Sequence, residues 1–124
     1  MSTLSVSNIT DGTDTVETGY VVNGSAKAWV NMNGTGTIAI RDSLNVASLT
    51  DNGTGDYQIN ISSAMSSSNY YVGESGALNT TTEIRHYDTL TRTTTAVQIQ
   101  CRDNNGNNFY DTAYAGVSIH GDLA

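Results

Sequence analysis

Proline is absent from this chain, and cysteine, lysine, tryptophan and phenylalanine occur once each. A single cysteine excludes an intramolecular disulfide, so no covalent staple holds the fold. Five basic residues face twelve acidic ones, leaving a formal net charge of −7 and a sequence pI near 4.3. That balance gives no electrostatic footprint for a phosphate backbone, so nucleic acid is excluded as an expected partner. An anionic membrane surface would repel the chain as well. No apolar run approaches the ~20 residues of a membrane-spanning helix, so no membrane insertion is expected. The opening MSTLSVSNIT carries neither a basic n-region nor a long apolar core, and no secretory signal is expected there.

What is present is Thr, Ser, Asn and Gly in place of large apolar side chains. Hydrophobic residues make up 37 % of the 124 and charged residues only 14 %. The apolar residues alternate in short runs, a patterning that disordered chains lack. A chain of this length favours one domain and buries roughly two-thirds of the surface its unfolded form exposes. The palette suits strands with polar outer faces joined by tight Asn/Gly turns.

Residues 1–25 read as a strand-like arm: Leu4 and Val6 alternate with serines, TDGTDT at 10–15 is a polar turn, and a short apolar piece, YVVNG, ends at Gly24. Residues 26–124 read as a β-domain. Ala26, Ala28, Val30 and Met32 point one way and Lys27, Trp29 and Asn31 the other. NGTGT at 33–37 then reverses the chain, since Asn-Gly supplies the positive φ of hairpin turns. Val46 and Leu49 precede a second such turn, DNGTGD at 51–56, and Tyr57, Ile59 and Ile61 alternate after it. NYYVGESGAL, with breaks near Gly73 and Gly76, TTTEIRHYD (80–88), TTTAVQIQCRD (93–103) and TAYAGVSIHG complete the set. No helical period of useful length intervenes. The expectation is all-β: an antiparallel β-sandwich or jelly-roll-like fold.

Chemistry is sparse. DNGTGD and DNNGNN (103–108) resemble calcium loops only superficially, because Gly53 takes a ligand position in the first and Asn108 the glycine position in the second. Both read as turns, with no metal and no cofactor. Cys101 is in phase with Val97 and Ile99 and reads as a buried small hydrophobe. A catalytic thiol would need His86 or His120 beside it, and a serine triad would need a nucleophile elbow that is missing. Glu83 and Asp88 are no more suggestive of sugar hydrolysis than any other acidic pair. No catalytic residue is assigned, and a non-enzymatic protein is expected. Asn-x-Ser/Thr sequons at Asn23 and Asn52 follow from turn composition.

Aromatic rings set among amides are the one recognition-like feature. Asn69, Tyr70, Tyr71, Asn107, Phe109 and Tyr110 are the candidate binding residues, because flat amphipathic rings give contact area at little conformational cost. Core or inter-subunit packing is the competing reading for Tyr70, Tyr71 and Tyr110, and the favoured one for Tyr57 and Tyr114. Neither face of the strand at 26–32 is wholly polar. Lys27 and Trp29 are therefore expected at a subunit contact, Trp29 together with the aliphatic stem of Lys27 capping a sheet face or that contact.

The stretch AKAWVNMNGTGTIAIRDSLNVASLTDNGTGDYQINISSAM resembles a module of tail-fibre and related virion proteins of bacteriophages, especially phages of aquatic bacteria. The matching positions are Ala26–Val30, Asn33–Thr37, Ala39–Arg41, Asp51–Tyr57 and Asn69–Tyr70, with Met32 standing where an aromatic is usual. TAVQIQCRDNNGNNFYDTAYAGVSIHG is similar to the closing strand pair. The resemblance implies a homotrimeric virion protein, made in the host cytoplasm and carried on the particle. It would meet other virion proteins and a host-surface glycan or protein in host attachment. Tail fibres also carry a long shaft and an anchor, whereas an arm of 25 residues precedes the module here. A capsid-decoration (cement) protein, gripping the head with that arm, is the alternative.

Overall fold

The computed structural model describes residues 1–77, 85–103 and 108–124. Glu83 and Asn107 lie outside them, as do most of DNNGNN and the start of the segment at 80–88. The elements run β1 (Asn8–Thr10), β2 (Thr15–Glu17), α1 (Thr18–Gly24), β3 (Ala26–Asn33), β4 (Ala39–Leu44) and β5 (Val46–Gly53). After these come β6 (Asp56–Ile61), β7 (Tyr71–Ala77), β8 (Arg85–Arg92), β9 (Ala96–Asp103) and β10 (Tyr114–His120). Two four-stranded antiparallel sheets, β4-β3-β10-β7 and β5-β6-β9-β8, pack face to face. The fold is an antiparallel β-sandwich.

Period-two alternation builds both inner faces. Ala28, Val30 and Met32 of β3 meet Ala115, Val117 and Ile119 of β10, and opposite them stand Tyr57, Ile59 and Ile61 of β6 with Val97, Ile99 and Cys101 of β9. Each large aliphatic side chain so buried contributes about 1.5–3 kcal/mol. The chain crosses from the first sheet to the second at Asn45, whose φ of 56° is a left-handed value that asparagine tolerates. Its side chain holds the crossing: Nδ2 donates to the Lys27 and Ser63 carbonyls and Oδ1 accepts the Ser63 N–H. β7 runs unbroken through Gly73 and Gly76, because β10 pairs with it along its whole length. The breaks expected there do not occur.

The sandwich has two distinct ends. Hairpin turns 34–38 and 53–55 and the 108–113 segment sit at one, the distal end. β3 begins at the other beside the end of β10, Ala26 pairing with His120, and the arm joins there. Within the arm, β1 and β2 form a hairpin around TDGTDT, where the Asp11 carboxylate accepts the N–H groups of Thr13 and Asp14. YVVNG is not strand but the end of α1. Among the described residues no strand pairs with it, and its backbone bonds locally, Ser25 N–H donating to the Val21 carbonyl. No residue of β1, β2 or α1 is buried.

Candidate functional site

The two glycine-rich turns meet at the distal end, on the hydroxyl of Tyr57. That oxygen lies 3.0 Å from the Gly34 carbonyl and 3.1 Å from Asp111 Oδ1, and it accepts the Thr112 N–H at 3.4 Å. Gly34 N–H donates to the Thr112 carbonyl, Gly55 N–H to Asp111 Oδ1, and Cys101 N–H to the Gly55 carbonyl. A Cβ on Gly34 would stand 2.5 Å from the Tyr57 oxygen. At Gly55, with φ +64°, a Cβ would stand 2.7 Å from the Tyr110 backbone. NGTGT and DNGTGDY are thus two halves of one joint. Burial pushes the Tyr57 phenol far above its ordinary value, and the Asp111 carboxylate adds to this. A phenol held neutral and enclosed is a structural pin.

The structure divides the candidate binding residues rather than gathering them. Tyr70 is a correction: it is 4 % exposed, in the core, and its hydroxyl is within hydrogen-bonding distance of the Thr93 and Ala96 carbonyls. It shares strand parity with inward-facing Val72, a signal the aromatic-plus-amide composition hid. Asn69 and Tyr71 are exposed at the arm end, where the Tyr71 ring lies 6.3 Å from that of His120. Phe109 and Tyr110 sit at the distal end, at the other end of β10. Phe109 is exposed with the Arg102 guanidinium 5.1 Å from its ring centroid, and Tyr110 is half-buried, its N–H donating to the Cys101 carbonyl. Among the described residues, no group of three or more His, Cys, Asp or Glu side chains is placed to hold a metal ion.

A surface that sequence reasoning missed lies on the outer face of the first sheet. Gly73 and Ser75 of β7 pair with Ser118 and Gly116 of β10, giving a floor of small side chains. A groove of about 540 Å³ runs over it, bounded by Asn31, Tyr114 and Ser118 among others. Tyr114, expected in packing, is instead half-exposed on this face, with the Arg41 guanidinium 4.5 Å from its ring centroid. A bulge at Asn31/Met32 leaves Arg41 unpaired in register, and the guanidinium reaches the Met32 and Ala113 carbonyls at 2.6 Å each. Half-buried Trp29 stands between Ser118 and Leu44, and Lys27 folds back to donate to the Ser25 carbonyl and hydroxyl. The inward positions Ala115, Val117 and Ile119 imply by parity that Tyr114, Gly116 and Ser118 face out, so the signal was present.

The outer face of the second sheet is a polar network closed around Asp56 and Asn60. Beside it the buried Arg102 Nε makes no hydrogen bond among the described residues and lies 3.6 Å from Asp88. Asp56 accepts Gln98 and Asn52 at one oxygen and Gln100 at the other. Asn60 donates to Ser48 and Thr50 and accepts from Gln58. Burial opposes the charged form of Asp56, but donors from Gln100, Gln98 and Asn52 and the Arg102 charge together hold its carboxyl below its ordinary value. Such a face has little left to offer a ligand.

No family model, curated protein or solved structure matches this chain.

Proposed function

We propose that this protein is a non-enzymatic structural protein of a phage particle, a homotrimer serving host attachment of the tail-fibre type. The observation that carries the reading is the bipolar build. An arm with exposed apolar side chains leaves one end of the sandwich, and exposed Phe109 with half-buried Tyr110 lies at the other. Such a layout suits anchoring at one end and display of recognition loops at the other. The resemblance of residues 26–124 to tail-fibre modules points the same way. Host-surface glycan or protein is the ligand class that aromatic rings beside amides fit.

Purified protein should bind host cells and compete with phage adsorption. Phe109→Ala should weaken that competition by about 30-fold if the ring is a hot spot, while Tyr71→Ala at the arm end should leave it unchanged. Equal effects from the two would remove the distal end from recognition. A second reading, capsid decoration, is favoured by the uncovered side chains of the arm. It requires binding to expanded capsids without any effect on adsorption.

A further inference from the structure

The arm and the groove are each unfinished. A two-stranded hairpin is marginal alone in water, and the seven-residue α1 is shorter than the ~12–15 residues an isolated helix needs. Yet Leu4, Val6, Ile9, Val16, Tyr20 and Val22 of the arm are all exposed. Among the described residues, polar contacts tie only the arm's last two residues to the sandwich: the His120 Nδ1 to Gly24 carbonyl hydrogen bond of 2.9 Å and the Lys27 ammonium donating to the Ser25 carbonyl and hydroxyl. Facing outward elsewhere are Leu44, Tyr71 and Tyr114, exposed beside half-buried Trp29 and the groove over Gly116 and Ser118.

Charge says which surface the arm fits. Residues 1–25 hold Asp11, Asp14 and Glu17 and no lysine or arginine. The outer face of the first sheet carries Lys27 and Arg41, whose hydrogen bonds end on carbonyl, hydroxyl and amide oxygens. Neither has a carboxylate partner among the described residues. Asp42 at the β4 edge is an opposing charge on that face, and Glu74, bonded to the Thr89 hydroxyl, is among the residues lining the groove. Among the described residues the second sheet's outer face offers no such match, since Arg102 already lies 3.6 Å from Asp88 and Asp56 accepts three donors.

We infer that residues 1–25 of one copy lie across the β4-β3-β10-β7 outer face of a second copy, apolar side chains over the groove and carboxylates toward Lys27 and Arg41. The arm is directed to a neighbour because a single extended residue, Ser25 (φ −72°, ψ 147°), separates α1 from β3. Folding back over its own sheet would require reversal at that one residue and loss of the Gly24–His120 bond. Arm-to-face contact is heterologous, so copies close into a ring or run on as a chain. The inference rests on the self-association in the proposed function and is indifferent to tail or head location.

The test is the mass of the full-length chain in solution, by sedimentation or light scattering. Wild type should be a discrete oligomer whose dissociation constant rises with added salt, as exposed charge pairs are screened. The variant D11K/D14K/E17K should dissociate at least about tenfold more readily. A chain carrying those changes together with K27E/S118E, which reverses the face as well, should reassemble. Circular dichroism establishes that each variant keeps its β-structure, and Y20S/V22S provides a second way to weaken the arm without altering charge. A monomeric wild type at about 100 µM would overturn both the inference and the self-association it rests on. An oligomer unmoved by both arm variants would overturn the inference alone.

Discussion

The two outer faces of the sandwich are built from similar residues and end in opposite states. On the second sheet, amides, hydroxyls and one carboxylate satisfy each other across three strands, with Asp56 accepting three donors. On the first, glycine and serine leave a groove edged by exposed Tyr114, with half-buried Trp29 on the same face. Lys27 and Arg41 there bond only to uncharged oxygens among the described residues. Paired polar side chains lose little by folding and gain little by binding, because their hydrogen bonds are already made. Uncovered rings gain from any surface that removes them from water, and cations bonded only to uncharged oxygens gain from a carboxylate brought to them. The contrast therefore teaches where to look for contacts in a chain of such plain composition.

Both faces hang on the distal joint, so the largest effect should come from breaking it. Gly34→Ala drives a methyl to 2.5 Å from the Tyr57 oxygen and 2.9 Å from the Thr112 carbonyl, and the latter is backbone that cannot swing aside. Overpacking of this kind costs up to about 3 kcal/mol, measurable as a lowered urea midpoint. A loss below about 0.5 kcal/mol, the level of an ordinary surface change, would show that the joint yields freely.

Next in size is the closed face itself. Asp56→Asn keeps the shape but sets an NH2 group against the Gln98 or Gln100 amide, donor against donor, and should cost about 2 kcal/mol. The pH dependence has a definite sign. Asp56 is held below its ordinary value near 3.8. Its contribution is present above that value and is lost as pH falls through the lower folded-state pKa. The variant should therefore lose most of its deficit relative to wild type in strong acid, and a deficit constant from pH 7 to pH 2 would sever it from the carboxylate.

Glu74 supplies the opposite sign from the other sheet. Its carboxyl sits where β7 approaches β8, hydrogen-bonded by the Thr89 hydroxyl. Burial raises it above its ordinary value near 4.5, opposed by the Thr89 donor, raised further by Asp88 and lowered by Arg92. A raised carboxyl contributes stability that is complete below the unfolded value and is lost as pH rises through the folded one. Glu74→Gln keeps an acceptor for Thr89 and removes that loss. It should stabilise the protein at pH 7 by roughly 0.5 kcal/mol, a figure kept small by solvent screening, and the advantage should vanish below pH 4. Destabilisation at pH 7 would mean that Arg92 outweighs burial.

How much of this was legible depended on whether a residue's role was local. Strands β3, β6, β9 and β10 follow from alternation, and the burial of Tyr57 and Cys101 from their phase with aliphatic neighbours. Helix α1 was not legible: Gly19, Val21 and Val22 are poor helix formers, and only the lack of a strand partner leaves local bonding to win. Tyr70 and Tyr71 share one composition and part by parity alone, one to the core and one to solvent. The Arg41–Tyr114 pair joins residues far apart in the chain through a β-bulge, which no periodicity announces. The reason for Gly34 was equally hidden, since the atom it must avoid belongs to a tyrosine on the opposite sheet.

The smallest expected effect is the sharpest form of the comparison, because it sets one polar truncation on each face. Asn60→Ala on the closed face takes a donor from the exposed Ser48 and Thr50 hydroxyls and the acceptor from the half-buried Gln58 amide. It should cost about 1 kcal/mol. Ser118→Ala on the open face removes an oxygen that has room only because residue 73 is glycine, where a Cβ would stand 2.9 Å from it, and among the described residues it strands no hydrogen-bond partner. Its cost in dilute, dissociated protein should stay within about 0.3 kcal/mol, inside the range of exposed substitutions. If the open face is covered by the arm of a second copy, that near-neutrality should hold only below the association concentration. Measured across a concentration series by chemical denaturation, the Asn60→Ala loss should stay constant while the Ser118→Ala difference changes as oligomer forms. Identical behaviour of the two variants at every concentration would mean that the faces differ in appearance and not in use.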